Sequence, residues 1–141
     1  MKILGFCVAI AAFMFTLLPA DAATVEAKIS LSNQRMYVSV NGVRKYTWPV
    51  STARSGYRTP TGTFRPQRLE RSWYSRKYDN APMPHSVFFY GGYAIHGTNA
   101  LKSLGRPASH GCVRLAPGNA ATLYSLVSKY GMGNTRVVVT R

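Results

Sequence analysis

Acidic side chains are almost missing from this sequence. Its 141 residues hold 4 Asp plus Glu against 18 Lys plus Arg, a formal net charge of +14. One of the four, Asp21, lies in an N-terminal stretch that reads as removable, leaving Glu26, Glu70 and Asp79. Three scattered carboxylates do not supply the paired acid and base of a glycosidase. Nor do they build the oxygen-rich cage that Ca²⁺ or Mg²⁺ requires. Cysteine and histidine are also scarce, at 2 and 3 residues. What remains for chemistry is a thiol, an imidazole and many guanidinium groups. Apolar residues make up 46% of the chain, enough for a packed core, and the length suits one domain.

The first 22 residues read as a cleaved signal peptide. Lys2 gives a positive start, residues 3–18 form an apolar run, Pro19 breaks it, and Ala20-Asp21-Ala22 puts small residues where a signal peptidase reads. The run is shorter than the roughly 20 residues that span a bilayer, so no stable membrane span is expected after cleavage. Cys7 sits early in the run behind Phe6, a poor position for lipid attachment. Removal leaves residues 23–141 as the mature domain, with Cys112 as its single thiol. A lone thiol cannot form an internal disulfide, and in an oxidising compartment it is a liability unless it is used.

The patterning is mainly β. Val25, Ala27, Ile29 and Leu31 alternate with polar residues, as do Met36, Val38 and Val40. Asn41-Gly42 then marks a hairpin turn, because both central positions of a type I′ turn need positive φ. The return strand covers about residues 43–50. A Gly- and Pro-punctuated loop follows at 51–64, then an Arg-rich stretch at 65–77 with Trp73, Tyr74 and Tyr78 interleaved. Residues 86–90 and 92–96 read as two short strands about Gly91-Gly92. Past the cysteine the period changes: Leu123, Leu126, Val127 and Tyr130 share one helical face, with Pro117 suited to the first turn and Gly131 to the end. Val137 to Val139 make a last strand. The expectation is a single β-sandwich-like domain with one main helix after Cys112.

The chemistry gathers at residues 109–115, S-H-G-C-V-R-L. A thiol attacks as thiolate, so it needs a base or a positive field nearby. Of His85, His96 and His110, we favour His96 as the base. It lies in A-I-H-G-T at an expected strand end, a rigid platform, whereas His110 is better placed to shape the loop. Gly111 beside the nucleophile lets backbone N–H groups turn toward a developing oxyanion. Arg114 can hold a substrate carboxylate in a fork. Together these groups suit acyl transfer through a thioester. The rival is Zn²⁺ on His85, His96, His110 and Cys112. Their spacing matches no familiar C-x-x-C or H-x-x-x-H pattern, and carboxylates to orient them are nearly absent. No metal and no cofactor is therefore expected.

H-G-T at residues 96–98 followed by S-H-G-C-V-R-L resembles the signature of the L,D-transpeptidase (YkuD-type) catalytic domain. The resemblance extends through S-T-A at 51–53, T-P-T-G-T-F at 59–64 and M-P-H-S-V-F-F-Y-G-G-Y-A-I-H-G at 83–97. It covers essentially the whole mature chain. It implies a β-sandwich-like catalytic domain in which Cys112 is the nucleophile and His96 the general base, held by a backbone carbonyl rather than by an acid. It places Ser109, His110 and Gly111 around the oxyanion hole, and Arg114, Gly97 and Thr98 at the substrate. It implies a peptidoglycan stem tetrapeptide as donor and a 3→3 cross-link as product, with the protein secreted across the inner membrane to the periplasm or cell wall. Two positions depart from the family pattern: Ala53 stands where Gly is usual, and Gly97 where some members carry Ser.

The positive charge suits anionic cell-wall material. Nucleic acid, which residues 65–78 would otherwise attract by stacking and charge, is not an expected partner of a secreted chain. Met83 and His85 are candidates to line the cleft, with a structural role at least as well supported. Three other readings share the residues: water as acceptor, giving an L,D-carboxypeptidase; a protein Lys amine, giving attachment of that protein to the wall; and a cell-wall-binding module without turnover, against which the intact Cys/His pair speaks.

Overall fold

A computed structural model describes residues 23–141. Residues 1–22, read above as a signal peptide, lie outside the described residues.

Two sheets and one helix enclose the core. In the first sheet, β1 (Val25–Ser30), β2 (Arg35–Val40) and β3 (Val43–Pro49) run as an antiparallel meander. The last strand, β11 (Thr135–Thr140), returns to pair in parallel with β1, and β4 (Gly62–Phe64) closes the far edge, for an order β3-β2-β1-β11-β4. The expected alternation is what buries this sheet: Val25, Ala27, Ile29, Met36, Val38, Val137 and Val139 all face inward. The β2–β3 turn has Asn41 at φ 50° and Gly42 at φ 77°, both in the left-handed region that the Asn-Gly pair tolerates.

The second sheet has the order β10 (Val113–Leu115), β9 (Tyr93–Gly97), β8 (Ser86–Tyr90) and β5 (Arg68–Glu70). One of its faces meets the first sheet through Val87, Phe89, Ile95, Val113 and Leu115. The other carries a smaller apolar cluster of Phe88, Ala94, Met83, Trp73 and Cys112. That face is covered by an excursion between β5 and β8, which holds the two-residue strands β6 (Tyr74–Ser75) and β7 (Ala81–Pro82). Backbone bonds from Met83 N–H to Trp73 O (2.7 Å) and from His85 N–H to Arg71 O (2.8 Å) close the base of the excursion.

Helix α1 (Pro117–Tyr130) follows β10 after a single residue. Pro117 sits in its first turn, and the Gly131 N–H (φ 95°) caps the Val127 carbonyl at 2.8 Å. Ala120, Leu123 and Val127 form the buried row, while Leu126 and Tyr130 lie at its margin. Each fully buried Leu or Val contributes about 1.5–3 kcal/mol, so Leu123 and Val127, with Ala120 beside them, hold the helix against β9. Gly97 is where they touch. A Cβ there would lie 3.1 Å from Pro84 Cγ and 3.3 Å from Pro117 Cα. The departure from Ser at this position thus has a packing reason.

Candidate active site

The site is built on the parallel pairing of β9 and β10, whose register sets Ile95 against Val113, His96 against Arg114 and Gly97 against Leu115. Alternation along a strand sends Val113 and Leu115 into the main core and Cys112 and Arg114 to the opposite face. Ala94 and His96 occupy that same face of β9. Cys112 and His96 are therefore diagonal neighbours on adjacent strands. Strands lie about 4.8 Å apart and two residues of a strand rise about 6.6 Å, so such neighbours are about 8 Å apart at Cα. The Cys112 side chain leans on β9: Sγ is 3.9 Å from the Gly92 carbonyl oxygen, and the thiol packs in the Ala94 cluster.

His96 is buried, at 6% exposure. Its Nδ1 lies 2.7 Å from the Gly97 carbonyl oxygen. A carbonyl only accepts, so Nδ1 is the protonated nitrogen and Nε2 keeps its lone pair. Burial draws the His96 pKa down to about 4; the Gly97 bond works against this and Arg114 adds to it. The Cys112 thiol is pushed up, first by burial, with a contact to the Ala94 backbone and the Arg114 charge pulling the other way. At neutral pH the resting groups are thus a neutral thiol on Cys112 and a neutral imidazole on His96.

The loop before Cys112 is fixed by groups that carry no chemistry of their own. Ser109, fully buried, donates its Oγ–H to the Cys112 carbonyl at 2.6 Å and accepts the Gly111 N–H at 3.0 Å. Residues 51–54 run alongside: Ser51 exchanges backbone bonds with Arg114, Ser109 N–H bonds Thr52 O at 2.9 Å, and Arg54 N–H bonds Ser109 O at 2.9 Å. Thr59 donates to Gly111 O at 2.8 Å and accepts the Ala53 N–H. Gln34 then fastens Thr52 from below through both ends of its amide, at 2.6 and 3.0 Å.

Each expected site residue has a definite place in this frame. Gly111 has φ 139°, and a Cβ on it would fall 2.6 Å from Tyr93 Cε1 and 2.9 Å from the Arg58 carbonyl oxygen. Its value is its shape, since its own N–H is taken by Ser109. The Cys112 N–H has no acceptor among the described residues. Thr98 sits in the turn below the base, its N–H on Leu115 O and its Oγ1 accepting from Ala100 N–H. His110 lies between the rings of Tyr57 and Tyr78. Burial and then Arg54, Arg114 and Lys77 lower its pKa. His85 packs edge-on against Tyr124 of α1, and Met83 is buried in the Cys112 cluster. Among the described residues, no three His, Cys, Asp or Glu side chains converge as a metal site.

Sequence reasoning left Gln34, Ser51, Thr52 and Thr59 without roles, although S-T-A and T-P were singled out as motif positions. The signal available was a run of small hydroxyl residues in a chain whose loops otherwise carry Arg.

Residues 24–139 match the YkuD family, described as the L,D-transpeptidase catalytic domain. The curated relative YkuD of Bacillus subtilis (strain 168), provisionally named an L,D-transpeptidase, is 26% identical over 117 residues, covering 80% of this chain and 64% of its own length. An L,D-transpeptidase from Mycobacterium smegmatis superposes with a TM-score of 0.74 at 26% identity, over 84% of this chain and 59% of that one. L,D-transpeptidase 3 from Mycobacterium tuberculosis, solved with a faropenem-derived adduct, shares the fold with a TM-score of 0.73 at 24% identity, over 84% and 61%. The chain thus spans about three-fifths of the length of the relatives it matches.

Proposed function

The chain belongs to the L,D-transpeptidase catalytic-domain family, and from that premise we propose that it joins peptidoglycan stem peptides through a thioester on Cys112. The observation that carries this reading is the β9–β10 register, which sets Cys112 and Arg114 on one face with a histidine whose Nδ1 is committed to Gly97 O. His96 Nε2 takes the proton of the Cys112 thiol as Sγ attacks the carbonyl of the diamino acid at position 3 of a tetrapeptide stem. The carbonyl oxygen becomes an oxyanion, for which the Cys112 N–H is the donor the loop leaves free. Collapse breaks the bond to the terminal D-Ala, whose nitrogen recovers the proton from His96. The side-chain amine of a second stem then attacks the thioester, passes its proton to Nε2, and leaves a 3→3 cross-link while the thiol is restored. A pre-organised oxyanion donor typically supplies about 3 kcal/mol of transition-state stabilisation.

The neutral resting pair suits this order of events. The proton moves only when substrate arrives, so the thiol is not held as a standing thiolate exposed to oxidation. Resting neutrality also makes the carbonyl hold on His96 sufficient, with no acid needed to stabilise a permanent imidazolium. The mature form is residues 23–141, exported by the segment 1–22 to act at the cell wall.

The test is mass spectrometry of muropeptides after incubating purified residues 23–141 with peptidoglycan sacculi. Dimers linked between two position-3 residues, with loss of terminal D-Ala, support the proposal. Tripeptides without dimers would identify water as the acceptor. No change in any stem would overturn it.

A further inference from the structure

Strand β3 is the part of the first sheet that the core claims least. Residues 43–47 are all exposed, and Trp48 is the buried residue of the strand. β3 also ends the strand order, so its outer edge pairs with no other strand of the sheet. The register divides its side chains between two sides. Val43 stands opposite Val40, Tyr46 opposite Val38 and Trp48 opposite Met36, on the side that becomes the core further in. Arg44 stands opposite Ser39 and Thr47 opposite Tyr37, on the outer side, where Lys28 of β1 is the other neighbour of Tyr37. Lys45 is the extra residue of the bulge between Tyr46 and Arg44.

The hairpin therefore shows apolar surface and cations together. Val43, next to the Asn41-Gly42 turn, is 56% exposed, and Tyr46, stacked on Trp48 at 4.9 Å, is 39% exposed. Arg44 Cζ lies 4.5 Å from the Tyr37 ring centroid, which holds the guanidinium flat on the sheet. Among the described residues none of Lys28, Arg44 and Lys45 makes an ion pair; the ion pair found is Arg68–Glu70, in the other sheet. The acid of β1, Glu26, stands beside Arg136 in the register rather than beside these three.

A basic patch alone would suit any polyanion. A bare valine and a tyrosine ring among the cations favour one class, because a soluble polyanion offers nothing apolar for them to enter. A lipid–water interface takes both: aliphatic and aromatic groups settle at the boundary of the acyl chains, and cations meet the phosphates above. We propose that the β2–β3 hairpin docks on an anionic phospholipid surface, with Val43 and Tyr46 dipping into the interface and Lys28, Arg44 and Lys45 on lipid phosphates. This docking is peripheral; no helix among the described residues is long and apolar enough to cross a membrane. Cys112 belongs to the other sheet, on its face turned away from the first, so the inference does not rest on acyl transfer.

Co-sedimentation of residues 23–141 with vesicles tests it. Vesicles of about one part phosphatidylglycerol to two parts phosphatidylcholine should bind the protein at low salt, and pure phosphatidylcholine should not. Binding should weaken about thirtyfold in Arg44→Gln/Lys45→Gln and about fivefold in Val43→Ser. It should be retained in Arg44→Lys/Lys45→Arg and fall in the wild type at high salt. All three variants should keep the wild-type unfolding midpoint and rate of Cys112 alkylation by iodoacetamide, since the substituted side chains are exposed and lie outside the Cys112 sheet. Failure of the wild type to bind anionic vesicles overturns the proposal. So does equal binding by the Gln double variant, which would put the contact on another basic surface. Undiminished binding by Val43→Ser, with displacement of the protein by soluble polyphosphate, also overturns it and identifies the partner as a polyanion in solution.

Discussion

Arg114 stands directly opposite His96 in the parallel β9–β10 register, so a permanent cation borders the buried imidazole. Burial first, and Arg114 after it, hold His96 near pKa 4 in spite of the Gly97 bond. An unfolded histidine titrates near 6.5. Above that pH both states are neutral and nothing is lost. Between about 6.5 and 4 the unfolded chain takes a proton that the folded chain refuses, so stability falls as pH falls, by about 3 kcal/mol in full. Urea midpoints at pH 7 and pH 4.5 should therefore differ less in His96→Gln than in the wild type. An equal drop in both would contradict the account of His96. For the same reason the acid limb of kcat/KM should lie near pH 4 rather than 6.5.

His96→Ala should cost about 10²–10⁴-fold in acyl transfer, the usual price of losing a positioned base. His85→Ala should cost far less, because His85 is turned against Tyr124. Initial rates on a tetrapeptide donor decide between them. A crippled His110→Ala beside an active His96→Ala would mean that the base had been misassigned.

Ser109→Ala should destabilise the fold by about 2 kcal/mol or more. Its one hydroxyl serves both the Gly111 N–H and the Cys112 carbonyl in a buried setting, and each orphaned backbone group costs about 1–3 kcal/mol. Thermal or urea unfolding measures this. A change within 0.5 kcal/mol, on the order of an ordinary surface substitution, would show that the loop does not depend on that hydroxyl.

A carbapenem should add one covalent mass on the peptide containing Cys112. Its strained carbonyl is an acyl donor for the same nucleophile, with an N–H donor at the loop to receive the charge. The adduct should form more slowly in His96→Ala and be indifferent to EDTA. Mapping the mass to another peptide, or blocking it with EDTA, would count against the site and in favour of the zinc alternative.

Local pattern carried part of this structure, and long-range pairing hid the rest. The Asn41-Gly42 hairpin and the helix from Pro117 to Gly131 were legible because their signals are short-range: two left-handed positions in one case, one periodic face in the other. Strand β10 was not, since Val113-Arg114-Leu115 is too short to show alternation and becomes a strand by pairing with β9 and Ser51. The Cys112 and His96 candidates were legible from residue chemistry. Their frame was not: Gln34 reaches Thr52 from 18 positions away, at a left-handed φ of 49° that no Gln announces. Gly111 was expected to let backbone N–H groups of the loop turn toward an oxyanion; that its own N–H is held by Ser109 was not legible. The rings on His110 come from loops that only the folded chain brings together.

The central claim is a covalent acyl-enzyme on Cys112. Intact-protein mass spectrometry of residues 23–141, quenched during reaction with a stem tetrapeptide, tests it directly. The account predicts an added mass equal to the tetrapeptide less free D-Ala, which carries away the proton displaced from sulfur. That mass should be sensitive to hydroxylamine, map to the peptide containing Cys112, and be absent in Cys112→Ala. Cys112→Ser should give little, because an alkoxide is far harder to form than a thiolate near neutral pH. Turnover of the tetrapeptide by Cys112→Ala at the wild-type rate would contradict the account.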